Sequence, residues 1–286
     1  MSQLKYLNVG CGDKIHPRWE NIDMVSRDPI VKKCNLLNGI PYTDDEFEVV
    51  YHSQVLEHFS KEDAPGFLKE CFRVLQPGGI LRVVVPDLES IAEEYLKQLR
   101  ANLDGPDPQS AANYDWVMLE LYDQTVRNVR GGQMADYLKQ PDMVNEDYVF
   151  HRTGNVCRQI REDALRKAAQ RPSGFEHLKQ IVKKSIGFVR KLFVSEARRI
   201  GAYRLGGEIH QWMYDRYSLS RLLSQTGFVD IKVQNYRESD IPRWNSYQLD
   251  EIDGEPVDRI SLYMEARKPP SPLITSSQPN LSRKAA

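Results

Sequence analysis

The chain has 286 residues, 41% hydrophobic and 28% charged, with a formal net charge of −1. This is ordinary globular usage at a length that suits one large domain, or one domain carrying an insertion, and it excludes a fibrous or wholly disordered chain. No apolar run approaches the roughly 18 residues that span a membrane, and no basic leader precedes an apolar stretch, so a soluble, cytoplasmic protein is expected.

Lys5 to Val9 is a short apolar run that ends in Gly10-Cys11-Gly12, the pattern of a buried first strand and a tight turn. Trp19 to Met24 suits a second strand. Only a dozen residues separate Gly10 from Asp23, and Pro17 lies among them, so the helix that usually joins such strands is cut to about a turn. A third short strand at Ile30 to Cys34 and a loop precede Phe47 to His52, rich in β-branched and aromatic residues. Ala64 to Leu75 then places Phe67, Leu68, Cys71, Phe72 and Leu75 on one helical face, Gln76-Pro77-Gly78-Gly79 stops the helix, and Ile80 to Val85 forms the next strand. After Asp87 the alternation breaks into helical segments and polar loops. It resumes with a helix at Leu219 to Gln225, a stop at Thr226-Gly227, and strands at Val229 to Val233 and Arg259 to Ala266.

Strands alternating with helices indicate an α/β fold with a parallel, Rossmann-like sheet. Residues 1–88 and 208–268 would form it, 89–207 a helical insertion that caps the substrate, and the Pro- and Ser-rich 269–286 a disordered tail. Residues 151–205 carry 14 Lys or Arg against 4 Asp or Glu. Within them Leu178 to Ile200 is a helix candidate with Ile181, Val182, Ile186, Val189, Leu192 and Phe193 along one face; it reads as a solvated lid, with an anionic acceptor or peripheral contact with anionic lipid as alternatives. Cys11, Cys34, Cys71 and Cys157 fall singly, so neither a zinc cage nor a disulfide framework is expected.

The Gly10-Cys11-Gly12 turn lies at the carboxyl end of the first strand, where open α/β sheets bind nucleotides, and Asp23 ends the second strand, placed to accept from ribose hydroxyls. Ile15 stands where a dinucleotide fingerprint has its third glycine, which argues against a nicotinamide cofactor. Taken in order, L-N-V-G-C-G, N-I-D-M, the run from C-N-L-L to V-L-E-H-F, and F-L-K-E-C-F-R-V-L-Q-P-G-G-I-L-R-V-V-V-P-D resemble class I S-adenosylmethionine-dependent methyltransferases of the type 11 group. The likeness is dense over residues 4–88 and returns at 210–233. It implies a class I methyltransferase fold whose sheet has an antiparallel last strand, and S-adenosylmethionine as cofactor, with Gly10, Cys11, Gly12 and Ser53 along its methionine portion, Asp23 on the ribose, Met24 against the adenine, and Asn35 and Leu36 at the adenine edge. The chain departs from that pattern with Asn8 in place of an acidic residue, Lys14 in place of the third turn glycine, and Asn35 in place of an aspartate.

Methyl transfer is an in-line displacement for which the protein aligns donor and acceptor and takes up a proton; no metal is expected. Catalytic candidates are His210, at the junction of insertion and sheet, then His151 and His58, because imidazole titrates near neutrality. Trp212, Tyr214 and Tyr217 read as core more than as pocket wall. The expected activity is O-methylation of a small molecule or glycan in bacterial secondary or cell-surface metabolism. The alternatives are N-methylation and a non-catalytic module that only holds the cofactor. Nucleic acid is not an expected partner, since His52-Ser53-Gln54 stands where base-modifying relatives carry an Asn/Asp-Pro-Pro-Tyr motif.

Overall fold

The computed structural model describes residues 5–25, 28–105, 107–169 and 195–271. Its sheet contains β1 (Tyr6–Val9), β2 (Glu20–Asp23), β3 (Val31–Lys33), β4 (Phe47–Ser53), β5 (Leu75–Pro86), β6 (Val229–Gln234) and β9 (Ser261–Arg267), in the order β3-β2-β1-β4-β5-β9-β6. The strands from β3 to β5 pair in parallel, while β9 runs antiparallel between β5 and β6. The architecture is the expected parallel α/β sheet with a reversed last strand. A small separate ladder pairs β7 (Glu251–Ile252) with β8 (Glu255–Pro256).

Alternation along the strands sorts side chains onto two faces. Leu7, Val9, Val50, Leu81, Val83 and Met264 join one buried cluster with α1 (Ala64–Val74) and α8 (Arg216–Thr226), the helices that cover that face. Asp215 caps α8 at its start, and Gly227, at φ 102°, ends it in the left-handed conformation open to glycine. The opposite face carries Tyr6, Tyr51, Ile80, Val84 and Tyr263. Between Val9 and Glu20 there are turns and no helix, as the position of Pro17 predicts. The segment 235–250 fills part of that face, packing Ile241, Trp244 and Leu249 onto it. Trp19 meets Tyr6, Tyr247 and Trp244 edge-on at 5.1, 5.2 and 6.2 Å, geometries that suit the ring quadrupoles.

Arg82, in the middle of β5 and fully buried, holds this segment down. Its Nε donates to Asp250 at 2.8 Å and its Nη atoms reach the Asp250 and Glu265 carboxylates, both at 2.8 Å. The Nη atoms also donate to the carbonyls of Glu238 at 3.0 Å and Asn235 at 2.7 Å. The guanidinium carbon lies 4.5 Å from the Trp244 ring centre. All five N–H donors of the guanidinium therefore have partners, the condition under which a buried charge is tolerated.

Between β5 and α8 lie α2 (Leu88–Asp104), α3 (Pro108–Val126), α4 (Gly132–Leu138), α5 (Glu146–Thr153), α6 (Asn155–Ala169) and α7 (Glu196–Arg204). Of these, α3 to α6 have a core of their own around Trp116, Leu138, Val149 and Phe150. Glu120 takes Arg152 at 2.6 Å and the Trp116 indole N–H at 2.6 Å within it. The chain leaves and rejoins the sheet at one place: the Leu88 N–H donates to the Tyr214 carbonyl at 2.9 Å, and Asp87 and Tyr214 form a parallel bridge.

Some expectations need correction. β5 begins at Leu75, which pairs with Phe47 ahead of the Pro77-Gly78-Gly79 turn. Of the three aromatics read as core, Tyr214 is buried but Trp212 and Tyr217 are 40% and 70% exposed. The candidate Leu178 to Ile200 falls mostly on residues 170–194, and most of the proposed tail on 272–286; both stretches lie outside the described residues.

Replacing Arg82 with Met should leave Asp250 and Glu265 buried without their cation and destabilise the fold by about 3–5 kcal/mol. Lys, with a point charge in place of a planar fork, should recover only part of this. Urea unfolding measures both; a midpoint unchanged in Arg82→Met would contradict the role given to this residue.

Candidate active site

At the carboxyl end of β1 the backbone turns sharply. Gly10 has φ 65°, and a Cβ there would come within 2.5 Å of Val55 Cγ2; Gly12 has φ 52° and open space where a Cβ would be. The Gly10 N–H donates to the Ile22 carbonyl at 2.8 Å and the Gly12 N–H to Asp23 Oδ2 at 3.0 Å, so the turn is tied to the end of β2. Asn8 is 1% exposed and donates to the Lys14 carbonyl at 2.8 Å and to Asn21 Oδ1 at 3.1 Å. The amide thus braces the loop from below without a charge.

The turn opens into a cavity of about 360 Å³ lined by Gly10, Cys11, Gly12, Lys14, Ser53, Gln54, Asp250 and Asp258, among others. Gln54 holds the left-handed conformation at φ 57°, unusual outside glycine; its Nε2 donates to Ser261 Oγ at 3.1 Å. Burial lowers Lys14 to about 8, against the pull of Asp250 and Asp258. Burial, helped by Asp23, pushes the Cys11 thiol up to about 11, which keeps it protonated and a poor nucleophile. A second cavity of about 440 Å³ adjoins the first and shares Asp258, Ser261 and Tyr263 with it; His151 and Arg152 of α5, Gln234, Asn235 and Ser90 complete much of its wall.

Residues 22–83 match the family model described as a methyltransferase domain. Over that stretch the chain is similar to a methyltransferase domain. No curated protein matches it. Similar solved structures include a possible histamine N-methyltransferase from Thermotoga maritima (14% identity over 94% of this chain and 84% of that one, TM-score 0.38). Another is an S-adenosylmethionine-dependent methyltransferase from Archaeoglobus fulgidus (12% identity, 93% and 87%, TM-score 0.37). The CurJ carbon methyltransferase is a third (10% identity, TM-score 0.37); this chain, 93% covered, spans 48% of its length.

Asp23 accepts the Val25 N–H on Oδ1 at 2.8 Å, which fixes the carboxylate beside the glycine turn. Met24 is 49% exposed, and a Cβ on Gly207 would lie 3.7 Å from its Cε, so the chain returning from the insertion passes close by. Asn35 Oδ1 accepts the Leu37 N–H at 3.1 Å and caps the 3-10 turn Leu36–Asn38, so that oxygen already has one donor. Of the expected cofactor residues, Gly10, Cys11, Gly12 and Ser53 line the 360 Å³ cavity, whereas Asp23, Met24, Asn35 and Leu36 do not.

The three candidate histidines separate. His151 is exposed and faces the second cavity. His210 is 4% exposed, and burial, with His58 and Arg127 adding to it, pushes its imidazole down to about 3, so it is neutral near pH 7. His58, also lowered by burial, packs edge-on against it at 4.9 Å between ring centres. Neither lines either cavity. The sequence reading missed Lys14, Gln54 and Asp258 as site residues. Lys14 was visible as the departure at the third turn glycine; the other two carry no local signal.

Gly10→Ala should destabilise the domain by about 1–3 kcal/mol, through crowding against Val55 and a strained backbone. It should also abolish measurable S-adenosylmethionine binding in calorimetry. Wild-type affinity in that variant would mean the turn does not cradle the cofactor.

Proposed function

We propose that this domain moves a methyl group from S-adenosylmethionine to a hydroxyl of a polar small molecule or glycan held in the second cavity. The observation that carries the reading is Asp258: its carboxyl is deeply set, yet it lines both cavities where they meet. Burial, chiefly, pushes it up to about 6, so it is mainly ionised near neutral pH yet basic enough to take a proton. Its Oδ1 accepts the Ile260 N–H at 3.0 Å, which orients the carboxylate and leaves Oδ2 for an acceptor hydroxyl.

The residues of the first cavity suit the methionine part of the cofactor, and those beyond its rim suit the nucleoside. The open face of Gly12 admits the methionine portion beside Gly10, Cys11 and Ser53. The Lys14 ammonium suits its carboxylate, and Asp23 suits the ribose with Met24, Asn35 and Leu36 around the adenine. When bound, S-adenosylmethionine supplies a methyl activated by the sulfonium charge. The protein then has to align the acceptor and receive its proton. Ser90, Gln234, Asn235 and Ser261 offer the donors and acceptors that a polyhydroxylated molecule needs, and Tyr236 and Tyr263 offer ring faces. His151 stands on the insertion side of that cavity as a second proton acceptor, so α5 supports reading residues 89–207 as a substrate cap.

Asp23→Ala should weaken S-adenosylmethionine binding about tenfold or more, the loss of a charge-assisted hydrogen bond pair, with no gain of NAD affinity. Calorimetry with either ligand checks this, and tighter binding of NAD would overturn the cofactor assignment.

Transfer of labelled methyl from S-adenosylmethionine to a panel of simple glycosides, phenols and amines tests the activity. Asp258→Asn should lower turnover about a hundredfold while cofactor affinity stays within a few-fold. The base works ionised, so wild-type turnover should fall as pH drops through about 6, and that limb should vanish in the variant. Full activity with the limb intact would remove Asp258 from the mechanism, and methyl found only on amines would replace the O-methylation reading with N-methylation.

A further inference from the structure

Outside both cavities, three side chains of metal-binding type converge. Glu57 and His58 belong to the 3-10 turn Leu56–His58 that follows β4, and His210 lies on the segment returning from the insertion. One donor atom from each lies within 4.8 Å of the others. The turn and the segment are fastened together by backbone: the Glu57 carbonyl accepts the N–H groups of Gln211 at 2.7 Å and Trp212 at 3.3 Å, and the His210 N–H donates to the Gln124 carbonyl of α3 at 2.9 Å.

Glu57 is the informative member. Its side chain is fully buried, and neither carboxylate oxygen has a hydrogen-bond partner. A buried carboxyl without partners is strongly unfavourable ionised, and still leaves a donor and acceptors unmet when protonated. A cation among these three groups removes that penalty. The His58 imidazole is prepared for one. His58 Nδ1 contacts the Ile209 carbonyl at 3.0 Å, and since a carbonyl only accepts, Nδ1 carries the hydrogen and Nε2 is left as a lone pair. A ring held through its far N–H by a backbone carbonyl is the usual arrangement of a ligating histidine.

We infer that Glu57, His58 and His210 hold a divalent first-row transition metal ion, which clamps the segment returning from the insertion to the turn after β4. Two imidazole nitrogens and one carboxylate favour zinc or a neighbouring ion over magnesium or calcium, which take oxygen ligands. The sequence reading foresaw no metal, because it sought the cysteine spacings of a structural zinc cage. Arg127, felt by both imidazoles, works against a cation here, and the Glu57 carboxylate offsets it. Donors around a four-coordinate zinc stand about 3.4 Å apart, so binding draws the returning segment inward. The ion has no part in the methyl-transfer step proposed above, and its test is independent of that reading.

The experiment is titration of the full-length, tag-free, chelator-treated chain with Co²⁺, read by visible absorption, followed by displacement with Zn²⁺. One equivalent should bind with the spectrum of nitrogen and oxygen ligation, zinc should displace it, and zinc should raise the melting temperature. Glu57→Gln and His210→Gln should each weaken binding about a hundredfold and lose the zinc-dependent rise, while His16→Gln, remote from the cluster, should match wild type. Absence of saturable one-equivalent binding by the wild-type chain overturns the inference whatever the variants do. So does tight binding that survives in both Glu57→Gln and His210→Gln.

Discussion

The buried guanidinium of Arg82 is the constraint on which the catalytic edge of the sheet depends. A charge in the middle of a central strand is tolerable only if every donor is met, and meeting them requires Asp250, Glu265 and two carbonyls of the segment that follows β6 to converge on one point. That requirement folds residues 235–250 back across a face with no helix between β1 and β2. It brings Trp244 onto the guanidinium and sets Asp250 and Tyr263 into the cofactor cavity wall. Tyr51 extends the network by donating to Asp250 Oδ1 at 2.6 Å. The same polar knot supports the aromatic packing beneath the site and the shape of the site itself.

Much of the sheet could be read from the sequence because its signals are local. Runs such as F-E-V-V-Y-H and I-L-R-V-V-V, and punctuation by Pro77-Gly78-Gly79 and Thr226-Gly227, declare strands and stops within a few residues of themselves. Even the missing helix after β1 was legible, from chain length and Pro17. Residues 235–260 were not. Their stability comes from Arg82, more than 150 positions away in sequence, and their own composition has no period to betray it. Arg82 likewise read as one polar letter in an apolar strand.

The site divides along the same line. The glycine turn and Asp23 are close in sequence and are joined by one hydrogen bond from Gly12, so a pattern of a dozen residues implied their geometry. The second cavity is assembled from distant pieces: α5, the end of β6 and the start of β9. Asp258 sits in an unremarkable loop, and its pKa is raised chiefly by burial in that assembly, with the Glu120 charge adding to it. The histidines were chosen by titration range, a property of the isolated side chain. The fold then separated them, sending His151 to the second cavity and pairing His58 edge-on with the buried His210.

The junction at Asp87 and Tyr214 has a wider consequence. Because the chain departs and returns at adjacent backbone positions, the closure entropy of the intervening polypeptide grows only logarithmically, about 0.6 kcal/mol for each doubling of its length. The helices α3 to α6 bury a core of their own, so their integrity does not rest on the sheet alone. Such a unit can lengthen or shorten while the sheet keeps its register, so changes in length are absorbed on one side of the junction.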